Sequence, residues 1–323
     1  MGSTPHTMPG STRSLSSATT EHSPDRNIRS ILSPSGMPVD NTLRVTFDIE
    51  GPRDPTSKTS AASILTRTAQ YLLMELDPKH ADIVLIICGF VSGLVDGLSF
   101  NAWGSFSSMQ TGNTVFLALG VSGQPRYPAY LWAKSLIAIV VFLLSNIFFI
   151  HIFRALNPVR RSSLILSFGL QTAALIVAAA VVQAGIVDPR PENPRAPIAW
   201  IQIFPITLLA FQAAGQICAS RLLAFDEIPT LVVTTLLCDL LADTKLYTRP
   251  WSGNLKRNRR IASFLALFLG AMTSGGLSRT TDMASSLWFA VALKGAITIS
   301  WFFWRDQRGN ILPKHDSLAA ESS

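Results

Sequence analysis

Apolar residues from 83 to 304 come in long blocks broken by short polar ones. Six blocks have the length that crosses a bilayer, about 17–25 residues. They are 83–103, 132–153, 163–187, 198–219, 261–277 and 284–304. Two shorter blocks remain: "SSMQTGNTVFLALG" at 107–120 and "IPTLVVTTLLCDLL" at 228–241. Each is polar at its front or middle. A helix starting at Thr111 has about nine residues before Gly120, roughly 14 Å at 1.5 Å per residue. That is half of the roughly 30 Å hydrocarbon core. Irregular backbone at that depth is tolerated only inside protein or along a wet cavity. The pattern therefore predicts an all-α, polytopic transmembrane helix bundle with six spans and two short re-entrant or half-helix segments.

Counting basic residues does not choose between six and eight spans. Six spans put Arg154, Arg160, Arg161 and Arg221 inside; eight put Arg126, Lys134, Arg190 and Arg195 there instead. Length and polarity favour six. Each half then reads span, broken piece, span, span. Three crossings per half is odd, so the halves are inverted relative to each other. Such an inverted repeat with paired broken helices is a recurring transporter plan.

The flanks complete the domain reading. Residues 1–60 are rich in Ser, Thr, Pro and Gly, and such a segment buries too little apolar surface to offset ordering. It is expected to be a disordered cytosolic tail. Residues 61–80 hold a juxtamembrane amphipathic helix, with Ile64, Leu65, Tyr71, Leu72 and Leu76 at roughly helical spacing. The transmembrane domain follows at 81–305, and 306–323 form a cytosolic C-terminal tail. Only 15% of residues are charged and 48% are hydrophobic, against about 25% charged in soluble domains. The net charge of +7 sits beside the apolar blocks, as in the "KRNRR" loop at 256–260. That placement reads as topology, both termini cytosolic, rather than as nucleic-acid binding. The expected partner is the lipid bilayer, of the plasma membrane or an internal one; a homo-oligomer is compatible. Cys88, Cys218 and Cys238 read as small buried hydrophobes. With no C-x-x-C, H-E-x-x-H, G-x-S-x-G or P-loop, no cofactor, metal or catalytic residue is expected.

"GFVSGLVDGLSFNAWGSFSSMQTGNTVFLALG" resembles the signature of the YoaK-like membrane proteins, the domain-of-unknown-function family 1275. Gly93, Asp96, Gly97, Thr111, Gly112 and Asn113 carry the resemblance. "FQAAGQICASRLLAFDEIPTLVVTTLLCDL" is similar to the second-half signature of the eukaryotic branch. It carries over Gln212, Gly215, Gln216, Arg221, Pro229, Thr230, Thr234 and Asp239. Thr235 stands where a Thr-Gly is common. The resemblance spans about 79–305. It implies a multi-spanning membrane protein and brings no agreed activity or substrate.

Gly89, Gly93 and Gly97 fall four apart, a spacing that lets another helix approach closely. Asp96 lies within a span, where a carboxylate costs about 2.5–3.5 kcal/mol on insertion scales. It must face the interior and find a partner, and Lys294 is the obvious cation, as a structural pair or a gated one. A half-helix capped by Thr111 and starting at Gly112 points free N–H groups into the protein and attracts anions. Gln110, Thr111, Gly112 and Asn113 then form one wall of a polar pocket, with Thr234, Thr235 and Asp239 as the other. Gln212 and Gln216 join this substrate-binding set through the resemblance. The function expected is alternating-access transport of a small solute, an anion among the candidates. The rivals are a membrane receptor or scaffold regulated through the N-terminal tail, and an intramembrane enzyme.

Overall fold

The computed structural model describes residues 61–306 apart from 125, 127, 128, 189–196, 229, 231 and 232. Both tails (1–60 and 307–323), Pro229, Arg190 and Arg195 lie outside the described residues. The helices are α1 Ala61–Leu73, α2 Ala81–Trp103, α3 Gln110–Val121, α4 Leu131–Leu156 and α5 Arg161–Gln183. They continue as α6 Ile203–Leu222, α7 Val233–Leu241, α8 Leu255–Thr280 and α9 Met283–Phe302. Six of them, α2, α4, α5, α6, α8 and α9, are long and apolar enough to cross a membrane. With 12 and 9 residues, α3 and α7 reach about 18 and 14 Å and fall short of it. The fold is all-α, with the six long helices of a polytopic membrane bundle.

Contacts between distant segments place the helix ends. At one end the Tyr71 hydroxyl donates to the Phe302 carbonyl, and Leu76 bridges Asp306. Arg161 Nη2 donates to the Trp304 carbonyl at 2.6 Å, and Arg259 pairs with Asp82 at 3.0 Å. The starts of α2, α5 and α8 and the end of α9 therefore share this end. At the opposite end, Lys134 Nζ donates to the Trp103 carbonyl and to Gln202 Oε1. Trp103, Lys134 and Gln202 mark the end of α2 and the starts of α4 and α6. The long helices thus run alternately up and down.

Three sequence expectations change. Helix α1 ends at Leu73, and Leu76 lies beyond it, 2% exposed in its bridge. "KRNRR" is not a loop but the first turns of α8. Arg257 is fully buried there, donating to the Leu246, Thr248 and Trp251 carbonyls and stacked on the Trp251 ring at 4.3 Å. Its side chain satisfies the carbonyls of the preceding turn, which a loop at the surface would leave to water. Asp243 in that turn accepts from Asn254 and the Lys245 N–H, which hold its carboxyl below the usual range. Cys88 and Cys218 are buried as expected, but Cys238 is exposed, on the side of α7 opposite the buried Leu236.

The glycine face of α2 packs on α8. Gly89 faces the Ser263 carbonyl at 3.8 Å for an added Cβ; on Gly93 a Cβ would overlap the Leu267 carbonyl oxygen. Gly270 returns the approach, its Cβ position overlapping the Phe90 carbonyl. Elsewhere α4 packs on α6, α5 on α6 and α9, α9 on α2, α3 on α4 and α7 on α8. The core divides in two. One apolar cluster holds Leu85, Phe149, Phe153, Phe168, Ile297 and Trp301; the other holds Leu94, Leu175, Ile206, Leu209, Leu287 and Val291.

Candidate functional site

The stretch between α2 and α3 turns back alongside α2. Gly104 ends α2 with φ +70°, its N–H closing on the Phe100 carbonyl at 2.9 Å. The chain then reaches Asp96, about 10 Å along the helix from Trp103. Asp96 Oδ1 accepts from the Ser107 N–H (2.8 Å), the Ser107 hydroxyl (2.6 Å) and the Ser108 N–H (2.7 Å). Oδ2 accepts from the Ser108 hydroxyl. From the other side, Asn113 Oδ1 accepts from the Phe106 N–H at 3.0 Å and Ser105 Oγ at 3.2 Å. Its Nδ2 donates to the Phe106 carbonyl at 2.7 Å and Gln110 Oε1 at 2.9 Å. Gln110 Nε2 closes the set on the Ser107 carbonyl at 3.0 Å. The set satisfies backbone groups that lack partners between two helices.

This geometry corrects three expectations. Asp96 does not pair with Lys294; its partners are Ser107 and Ser108, because four nearby donors satisfy it without a cation. Helix α3 starts at Gln110, so Thr111 is no cap and Gly112 no break; Thr111 is exposed. Gly112 lies in the first turn, where the Phe106 ring covers it: a Cβ there would stand 2.8 Å from that ring. Phe106 in turn clusters with Phe100 (4.8 Å between centroids) and Phe116 (5.8 Å), which lie 5.9 Å from each other. Beyond the stack an apolar cavity of about 300 Å³ opens among Phe100, Phe116, Leu119 and Trp132. The supposed second wall is absent too. Thr234, Thr235 and Asp239 are exposed on α7, with Asp239 3.9 Å from Arg260.

A different set of polar residues meets inside the bundle. Each of four helices carries one or two where its apolar residues pass from one cluster to the other. On α2 it is Ser92, one residue past Val91, where the second cluster begins; on α5 Gln171, between Phe168 and Leu175. On α6 they are Gln212 and Gln216, between Leu209 and Cys218; on α9 it is Lys294, between Val291 and Ile297. Gln171, Gln212, Gln216 and Lys294 are 0% exposed and Ser92 1%. Lys294 Nζ donates to Gln216 Oε1 at 2.6 Å, lies 3.9 Å from Cys88 Sγ and sits 5.5 Å above the Phe168 ring. Gln216 Nε2 donates to Ser92 Oγ at 2.7 Å and the Cys88 carbonyl at 3.0 Å. Among the described residues no carboxylate faces Lys294. Both amide atoms of Gln212, and Gln171 Oε1, are buried without a partner. Gln171 Cγ stands 2.9 Å from where a Cβ on Gly215 would be, so α5 and α6 meet closely at this level.

Of the residues expected to bind substrate, Asp96, Gln110 and Asn113 thus share one closed network, and Gln216 and Lys294 another. Gln212 lies one turn from Gln216 on α6. Ser107, Ser108, Ser92 and Gln171 were not singled out, and Cys88 was read only as a small buried hydrophobe. Gln171 could have been: an amide in the middle of an apolar block is a visible signal. Ser92 and Cys88 could not, being small residues of kinds common in helix packing.

No curated protein and no solved structure matches the chain. A family profile described as "Protein of unknown function (DUF1275)" matches residues 84–300, from the first turn of α2 to the last of α9. Two-thirds of the sequence lies in that match, including both polar networks, and the chain belongs to this family of polytopic membrane proteins.

Proposed function

We propose that the chain transports a small anionic solute by alternating access, with Lys294 and Gln216 at its binding site. One observation carries this reading: a polar layer crosses the core at the junction of two apolar clusters, and among the described residues its lysine has no carboxylate partner. A buried cation is costly unless it is paired or loses its proton. A solute carboxylate or other oxyanion would supply the missing charge, and the unpaired Gln212 and Gln171 amides would supply neutral contacts.

The packing supports the inverted repeat. Exchange α2–α5 with α6–α9 in order, and the α2–α8 contact becomes α6–α4, α3–α4 becomes α7–α8, and α5–α6 becomes α9–α2. Each exchanged pair also packs, with α2 and α6 running in opposite directions. In this reading α3 and α7 are the re-entrant pieces of the two halves. The second-half motif around Gln212 and Asp239 supports reading the chain as one of the eukaryotic-type branch. The end that gathers Arg154, Arg160, Arg161, Arg221, Lys256 and Arg305 faces the cytosol, with both tails.

Uptake into vesicles reconstituted with purified protein, against a panel of small carboxylates and inorganic anions, tests the function. Lys294→Met should cut uptake of the active anion about 10- to 100-fold, the worth of a charged hydrogen bond of about 1.5–3 kcal/mol. The double variant Lys294→Met/Gln216→Leu should still fold, since apolar replacement of a buried polar pair is often neutral. Uptake unchanged in Lys294→Met would make the layer a packing feature only.

Orientation has its own check. In a Cys238→Ser background, Gln124→Cys should react with an impermeant maleimide added to intact cells and Tyr247→Cys should not. The reverse pattern would turn the molecule over.

A further inference from the structure

A second group of unsatisfied buried atoms lies at the start of α5, far from the polar layer. Arg160 is the N-cap, and Arg161, Ser162 and Ser163 form the first turn. Arg160 Nε, Arg161 Nε and Nη1, Ser162 Oγ and Ser163 Oγ are all buried without a hydrogen-bond partner. Arg161 is 3% exposed and Ser163 0%. Among the described residues no carboxylate pairs with Arg161. Its Nη2 donates to the Trp304 carbonyl, and its guanidinium lies 3.8 Å over the Tyr71 ring. The neighbouring acid, Glu75, is turned to Asn157 Nδ2 at 3.0 Å.

Every unsatisfied nitrogen here is a donor, and both hydroxyls rotate freely enough to donate. Two guanidinium groups and two hydroxyls with unpaired atoms flank the cap and first turn of a 23-residue helix. The helix start adds partial positive charge, and guanidinium edges match the oxygens of a phosphate two at a time. A neutral ligand would leave the two arginine charges uncompensated. A carboxylate has too few oxygens for this many donors. The site also lies at the end of the bundle, where headgroups of a bilayer would meet it.

We propose that the start of α5 binds a phosphate monoester, carried by a lipid headgroup or by a soluble molecule. Entry requires the 71–77 segment to move outward, since the Met74 carbonyl holds the Arg161 N–H at 3.0 Å and Tyr71 covers the guanidinium. Binding therefore loosens the clasp between Tyr71 and Phe302 at the membrane surface.

The test uses the full chain in phosphatidylcholine nanodiscs, whose phosphodiester lipid is the baseline. Thermal unfolding is followed with inorganic phosphate added, with phosphatidic acid in the disc, and with oleic acid in the disc as a carboxylate of the same sign. A rise in Tm of several degrees with phosphatidic acid alone assigns a lipid headgroup. A rise with inorganic phosphate assigns a soluble ligand. Ser162→Ala/Ser163→Ala and Arg160→Gln remove unpaired groups and should leave the baseline Tm nearly unchanged while abolishing the rise. Arg161→Gln should also abolish it, with a lower baseline from the lost Trp304 and Tyr71 contacts. No rise with either phosphate, an equal rise with oleic acid, or a rise that survives in the serine and Arg160 variants would overturn the site.

Discussion

Alanine at Gly93 should destabilise the bundle, and alanine at Gly89, one turn away on the same face, should not. An added Cβ at Gly89 meets the Ser263 carbonyl at 3.8 Å, an ordinary contact. At Gly93 it overlaps the Leu267 carbonyl oxygen and stands 2.9 Å from the Ala271 nitrogen. Those are backbone atoms of α8 and cannot rotate away. The helices must separate, which loses close packing along their whole contact, and membrane helices rely on that packing for association. The cost is about 1–3 kcal/mol or more, the range of an overpacked core. Gly97 separates backbone from side-chain obstruction. Its Cβ would meet the Ser274 side chain, so Gly97→Ala should be intermediate, and Ser274→Ala should rescue it in part, since the Ser274 Cβ remains 2.9 Å away. Gly275 and Gly276 have nothing within 4 Å. Alanine there should be neutral or stabilising by up to about 1 kcal/mol, the helix-propensity difference. Reversible unfolding of each variant in detergent gives the order. Equal stability of Gly89→Ala and Gly93→Ala would mean that α2 and α8 do not cross this closely.

The glycine face was legible because spacing alone fixes which residues of a helix share a side. The six long helices were legible because length and composition suffice to recognise them. Their ends were less so. The α8 boundary moved by two turns because Arg257 folds inward onto carbonyls of its own approach, and an arginine cluster looks the same in a loop and in a capped helix. The site failed for a related reason. Asp96 carries a charge and Lys294 carries the opposite one, so pairing them is the cheapest guess from composition. The chain had a cheaper solution in the hydroxyls and backbone N–H groups of Ser107 and Ser108. Those donors belong to a turn whose path depends on Gly104, Asn113 and the Phe106 ring together. Sequence spacing does not show where a turn folds back. The polar layer was half legible: Lys294, Gln212 and Gln216 stood out, whereas its geometric definition comes from the apolar clusters above and below it.

Asp96→Leu should therefore unfold the α2–α3 turn without reference to Lys294. The substitution leaves the Ser107 and Ser108 N–H groups buried and unpaired. Each orphaned donor costs about 1–3 kcal/mol, so the loss is about 2–6 kcal/mol. The serine hydroxyls can turn elsewhere; the backbone groups cannot. Asp96→Asn keeps one acceptor oxygen for both N–H groups and should cost clearly less. It also places an amide donor beside Ser108 Oγ, which can reverse and accept. Asn113→Ala removes the clamp from the other side and should be comparable to Asp96→Leu in effect, and strongly non-additive with it, because both hold the same turn. By contrast Asp96→Asn and Lys294→Met share no partner. Their effects on stability should add to within about 0.3–0.5 kcal/mol. Coupling well above that would restore a direct Asp96–Lys294 interaction in some state of the protein. Additivity, with Asp96→Leu far worse than Asp96→Asn, fixes the carboxylate as the anchor of the turn and leaves Lys294 free for a solute.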